Sequence, residues 1–228
     1  MSSFKKTLRI KVDRAHPDKK LLSYAAKVLR EGGLVAFPTE TVYGLGANLL
    51  DKAAIKSLYR VKNRPGNKPF TVHIASLAQI KKFGCAMDAR AGKLAKRFWP
   101  GPLTMVLKSK SGKGVGFRMP KNTVALELIR MAKTPVVAPS ANISRKKPPV
   151  TAAEVLKDLD GKIDIVIDSG PTDIGLESTV LDMMTKPYTV LREGALKDKD
   201  IRKILAPPRN TKPLRTRIVE AGCRIKRK

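Results

Sequence analysis

Cysteine, histidine and aromatic residues are all scarce in this chain of 228 residues. The two cysteines, Cys85 and Cys223, stand far apart and in no metal-ligand spacing. Neither a disulfide-stapled fold nor a protein-built zinc site is expected, and no metal ligands are assigned. Free thiols of this kind suit a reducing compartment, so the expected location is cytoplasmic. There are two histidines, one of them His16 beside Pro17 near the N-terminus, which leaves a Ser-His-Asp hydrolase little to stand on. Aromatic side chains make up 5% of the chain, few for a surface of base-stacking platforms. No apolar run approaches the length that spans a bilayer, so no membrane partner is expected. The opening MSSFKKTLRI carries charge but no apolar segment, and no secretory signal is visible. The P-loop signature, the dinucleotide glycine fingerprint and the H-E-x-x-H zinc motif are missing as well. Catalysis in this chain would therefore rest on cations, hydroxyls and backbone amides.

Acidic residues are few too: 19, against 47 lysines and arginines, for a net charge of +28. Residues 197–228 contain twelve of the basic residues and three of the acidic ones, so most of the excess lies in the preceding chain. Such a field draws anions: nucleic acid, phosphates, carboxylates. A basic surface that is merely well solvated is the plain alternative.

The apolar pattern predicts an α/β fold. Leu21, Leu22, Ala25, Val28 and Leu29 form a helical stripe over 19–31, closed by Gly32-Gly33. Residues 34–38 read as a buried strand. Asp51 suits the start of a helix that ends before Pro65, and Ser76 and Asp88 can each cap another. PFTVHIA alternates as a strand, with Phe70, Val72 and Ile74 on one face and Thr71 and His73 on the other. Further strands are expected in GPLTMVLKS, GVGFRMP, TPVVAPS, IDIVIDSG, ESTVLDM and YTVLREG, with helices near 123–131 and 151–158. Strands alternate with helices early and follow one another late, which predicts a mixed, twisted open sheet with helices packed on it. Residues 1–206 are expected to form one domain, and 207–228 a basic, proline-containing linker or tail.

Polar groups gather at the expected strand ends, where open α/β sheets bind ligands. Thr39, Glu40, Thr41 and Tyr43 follow the strand at 34–38. Lys62 and Arg64 flank Asn63 before Pro65; they either reach one ligand or complement the negative end of a helix dipole. Ser140 and Asn142 follow PVVAP as ligand groups or as turn and cap residues. His73 is either a site residue or a strand histidine with a backbone partner. Arg118, Arg192, Ser178 and Thr179 each admit an ordinary surface or strand-edge role.

The ordered series GGLVAFPTETVYGLGAN, KNRPGNKPFTVHI, WPGPLTMVL, GFRMP, PVVAPSANIS, IDIVIDSG, ESTVLD and VLREG resembles the threonylcarbamoyl-adenylate synthase family, with its YrdC-like fold, over roughly residues 20–196. The resemblance implies an open α/β sheet around a large basic concave cavity. It implies a nucleotidyltransferase that joins L-threonine, bicarbonate and ATP into threonylcarbamoyl-AMP and pyrophosphate. A downstream transferase complex would move the threonylcarbamoyl group to adenosine 37 of tRNA, giving N6-threonylcarbamoyladenosine (t6A). Lys62 and Arg64 would be the K-x-R pair, and also the catalytic residues, and Ser140 and Asn142 the S-x-N pair, holding ATP together with Arg192, Thr104 and the backbone at Pro148. Thr39, His73, Arg118 and Ser178 would line the threonine pocket. Mg²⁺ would arrive with the ATP phosphates. One departure stands out: many relatives carry glycine after the serine in S-G-x-x-P-x-T, where this chain has Arg145. The short, single-domain form of the family is implied. The alternative from another class is a non-catalytic protein that binds double-stranded RNA or ribosomal RNA in the basic cavity. A carbamoyl-adenylate domain of hydrogenase maturation is a third reading, set lower because such domains sit inside much longer chains.

Overall fold

The computed structural model describes residues 6–66 and 69–206; the expected tail and Cys223 lie outside them. Among the described residues ten strands form one mixed sheet. In chain order they are β1 Leu8–Lys11, β2 Val35–Phe37, β3 Gly44–Asn48, β4 Val72–His73, β5 Leu103–Lys108, β6 Gly114–Arg118, β7 Val136–Val137, β8 Ile165–Asp168, β9 Thr179–Asp182 and β10 Thr189–Arg192. The spatial order is β1-β8-β2-β3-β7-β4-β6-β5-β9-β10, with parallel and antiparallel neighbours mixed.

Among the described residues there are seven helices: α1 Lys19–Arg30, α2 Lys52–Lys62, α3 Ala78–Lys81, α4 Ala89–Phe98, α5 Thr123–Ala132, α6 Ala152–Leu159 and α7 Asp198–Leu205. Five start at a side chain that accepts from the first free backbone N–H groups: Asp18, Asp51, Asp88, Asn122 and Thr151. Ser76 does not cap α3, whose first residue follows Leu77 without a side-chain cap. Gln79 reaches back instead, accepting from the N–H groups of Ala75 and Ser76. The stripe on α1 is shifted from expectation: Leu22, Ala25, Ala26 and Leu29 are buried and Leu21 is exposed.

The two faces of the sheet carry separate cores. Val35 and Phe37 of β2, Ile165 and Ile167 of β8 and Val136 of β7 join α1 and α5 in one. Their neighbours Ala36, Val166 and Val137 join the larger core on the other face. This alternation is the period of two of a strand covered on both sides.

Two strands run against the sequence reading. PFTVHIA is a strand only at Val72–His73. GLGAN, for which the apolar pattern suggested no strand, is the five-residue strand β3, paired with β2 and β7 and wholly buried. A Cβ on Gly46 would lie 2.9 Å from the Phe37 ring and 3.1 Å from the Val35 carbonyl oxygen. That glycine serves close strand packing, not ligand approach.

Candidate functional site

Strands β4 and β7 are two residues long, and where they stop a polar cleft of about 110 Å³ opens. Eight of the expected residues line it: Thr39, Arg64, His73, Thr104, Arg118, Ser140, Ser178 and Arg192. Lys62, Asn142 and Pro148 do not; they stand behind or beside its wall. A second, more apolar cleft of about 570 Å³ adjoins it and shares Arg64, Phe70, Thr71, Thr104 and Arg192.

Arg118 is the buried anchor. It closes β6 opposite His73 in parallel register. Its Nη2 lies 2.9 Å from Glu40 Oε1 and donates to Thr41 Oγ1 at 2.7 Å. Thr41 Oγ1 is 2.9 Å from Thr39 Oγ1, and Thr39 donates to the Val42 carbonyl. The other Glu40 oxygen accepts from the Lys121 N–H. The PTETV run is thus a frame that grips a guanidinium. Arg118 Nε is buried and has no hydrogen-bond partner among the described residues. Burial first, and then Arg192, holds the Arg118 pKa below its ordinary value, against the opposing pull of Glu40. Sequence reasoning placed Glu40 and Thr41 among the polar groups after the strand but gave them no partner, because Arg118 is far along the chain.

His73 is also buried, and its imidazole is pushed down to about 3 by burial and then by Arg118. It is neutral near pH 7 and lies 3.4 Å from the Thr71 carbonyl oxygen through Nδ1. On the opposite wall Thr104 and Ser178 share a 2.9 Å hydroxyl pair. Arg192 donates to the Ser178 carbonyl at 2.9 Å and pairs with Glu177 at 2.8 Å. Arg64 donates to the Pro69 carbonyl and lies over the Phe70 ring, 5.1 Å from its centre.

Lys62 is not a free loop cation after the helix. It is the last residue of α2, nearly sealed from solvent at 2% exposure, and Asn63 turns the chain away in the left-handed region. Its Nζ donates to the carbonyls of Ser140 and Asn142. The K-x-R and S-x-N segments are therefore fastened together, but through backbone oxygens. Burial, and then Arg64, pushes Lys62 down to about 8. Asn142 donates to the Lys146 carbonyl, and its Oδ1 is buried without a partner among the described residues. Pro148 is half-buried, and the next carbonyl, of Pro149, accepts from the Tyr43 N–H. Arg145 adopts φ 73°, a conformation that favours glycine, the residue that the family resemblance leads one to expect there.

The cleft gathers three guanidiniums and a neutral imidazole, with Glu177 as a lining carboxylate. That donor set fits an anion. Among the described residues no group of three His, Cys, Asp or Glu could hold a metal ion.

Residues 27–194 match the family model Sua5/YciO/YrdC, described as "Telomere recombination". The chain belongs to the Sua5/YciO/YrdC family. It is 47% identical over 190 residues to the threonylcarbamoyl-AMP synthase of Pyrococcus abyssi, covering 79% of this chain and 56% of that protein. The crystal structure of P. abyssi Sua5 complexed with L-threonine superposes with a TM-score of 0.83 at 44% identity, covering 87% of this chain and 61% of that one. E. coli YciO superposes with a TM-score of 0.77 at 25% identity, covering 86% and 99%. The chain thus spans little more than half of the Pyrococcus protein, and its fold is the YrdC-like one. Among the described residues no helix is long and apolar enough to cross a membrane.

Proposed function

We propose that this chain makes threonylcarbamoyl-AMP and pyrophosphate from L-threonine, bicarbonate and ATP, for t6A formation at tRNA position 37 by a downstream transferase complex. The observation that carries this reading is the framed guanidinium of Arg118 in a small polar cleft, in a family member that superposes on a threonine-bound Sua5. The cleft is below the ~300–1,000 Å³ usual for drug-sized ligands, which suits an amino acid, whereas the adjoining cleft falls within that range. L-Threonine would offer its carboxylate to Arg118, with Thr39, His73 and Ser178 around it. ATP would lie along the shared wall, with its phosphates near Arg64 and Arg192, while Lys62, sealed behind that wall, would act by its charge and by holding the Ser140–Asn142 segment in place. Thr104, Ser140, Asn142 and the backbone at Pro148 would fix its position. The two clefts together would be the basic concave cavity expected of the family.

The chemistry needs this charge. The threonine amine adds to bicarbonate carbon and water leaves, giving a carbamate. A carbamate oxygen then attacks the α-phosphorus of ATP, and pyrophosphate departs. Both partners are anionic, so guanidiniums and an ammonium offset their repulsion and stabilise charge growing on the leaving group. Holding them in line removes the entropy of encounter. The neutral His73 can donate or accept without adding charge. Mg²⁺ would come bound to ATP and neutralise its phosphates further.

Incubation with ATP, Mg²⁺, L-threonine and ¹³C-bicarbonate tests the reading by mass spectrometry. One labelled carbon in a threonylcarbamoyl-AMP product is expected. A folded protein that binds ATP and forms no such product overturns it and returns attention to the RNA-binding alternative.

A further inference from the structure

A second concentration of charge lies away from the cleft. Strands β5 and β6 form a hairpin whose turn, Ser109–Lys113, is closed by bonds from Ser109 to the Lys113 carbonyl, with Gly112 at φ 81°. This turn carries Lys110 and Lys113 and is preceded by Lys108; α3 ends at Lys81, followed by Lys82. Backbone bonds fasten the two segments: Lys110 N donates to the Gly84 carbonyl at 2.9 Å, and Cys85 bridges Ser109. All five lysines are exposed. None forms an ion pair among the described residues. No acidic residue occurs within 76–87 or 105–116. Of the acids just beyond, Asp88 is occupied by Arg90 and the N-terminus of α4, and Asp182 accepts from the Met184 N–H.

Five like charges held on two fastened turns repel one another, and nothing within the described fold relieves them. An external polyanion would. The cleft between the turns, about 460 Å³, is lined by Lys81, Lys108, Lys110, Ser109 and small residues, with no large apolar side chain. A protein partner would need an apolar or aromatic anchor pocket. A phosphate backbone needs only spaced ammonium and hydroxyl groups. The corner sits at the far end of β5 from Thr104, about 14 Å along the strand at ~3.4 Å per residue.

We propose that this lysine corner docks the phosphate backbone of RNA, outside the polar cleft. The inference rests on charge and exposure and holds whether or not the cleft performs the proposed synthesis. Lysines at this spacing give affinity and orientation without reading bases.

The test is fluorescence anisotropy with an unmodified tRNA transcript across a KCl series. Three proteins of the full chain are compared: the wild type, K81Q/K82Q/K108Q/K110Q/K113Q, and the charge-matched control K19Q/K20Q/K52Q/K56Q/K93Q. Removing one lysine–phosphate pairing should flatten the plot of log affinity against log salt by about 0.9, so the corner variant should lose several units of slope and about tenfold or more in affinity. K108Q/K110Q/K113Q should lose roughly half the slope. The control should lose much less, and pyrophosphate release should be unchanged by the corner substitutions. Equal losses in corner and control variants would reduce the effect to net charge and overturn the site. Full retention of tRNA binding by the corner variant would overturn it as well. Competition by polyglutamate as effective as competition by RNA would reassign the corner to an acidic protein.

Discussion

Arg118 and Arg192 line the same cleft, and each is paired with a glutamate, yet they are different kinds of residue. Arg118 and Glu40 expose 6% and 4% of their side chains; Arg192 and Glu177 expose 42% and 34%. The buried pair is held by Thr41 and by the Lys121 N–H, so it belongs to the frame of the site. The open pair is one that an incoming phosphate can break at little cost. A site that must grip one anion firmly and admit another needs both.

The sharpest way to break this comparison is to delete each arginine in turn. Arg118→Ala leaves Glu40 buried and unpaired and should destabilise the fold by about 3–5 kcal/mol. Arg192→Ala should cost under ~1 kcal/mol, because its pair is screened by solvent. Urea denaturation of the two variants measures both. Similar losses would mean that burial does not separate the pairs. Restoring stability with the double variant Glu40→Gln/Arg118→Met would sharpen the point, since it removes both charges together.

Lys62 and Arg64 extend the contrast to two residues of one short segment. Lys62 is charged below about pH 8, and beyond that its ammonium and third N–H are lost. Activity should therefore fall above pH 8, by up to about tenfold per unit. Stability should move the other way. The folded pKa lies below the ordinary lysine value, so between pH 8 and 10.5 the unfolded chain binds more protons and this group's contribution rises with pH. Lys62→Met should abolish that rise in a pH series of unfolding curves. A wild-type activity profile flat to pH 10 would remove the charged lysine from the chemistry.

The smallest expected effect concerns Arg145. A left-handed backbone at an arginine costs roughly 1–2 kcal/mol, partly offset by the entropy glycine adds to the unfolded chain. Arg145→Gly should thus stabilise the protein by up to about 1 kcal/mol in thermal unfolding. A loss of stability would show that the side chain makes interactions that outweigh the strain.

Much of this architecture was legible in the residues. Asp51 and Asp88 announce helices because an N-cap is a local interaction of three residues. The run Leu34–Phe37 announces a strand because both of its faces are apolar. The failures are as physical. β3 went unread because the glycines of GLGAN make sense in a strand only once Phe37 and Leu29 are seen packed against Gly46. β1, charged at two of its four positions, and α7, charged at five of its eight, are too short to be noticed alone. The site residues were named through the family's motifs, and eight of them face one cleft. What no motif displays is that Glu40 holds Arg118 across 78 positions, or that Lys62 ends a helix and clasps two carbonyls.

The central claim is that the framed polar cleft is a threonine pocket. Calorimetric titration of the protein with L-threonine tests it most directly, with L-valine, which keeps the shape and lacks the hydroxyl, as the comparison. One threonine bound per chain, with valine at least about a hundredfold weaker, is the expected result for a site that hydrogen-bonds the hydroxyl. No heat from threonine in a folded sample that binds ATP, or valine bound equally well, would contradict the account.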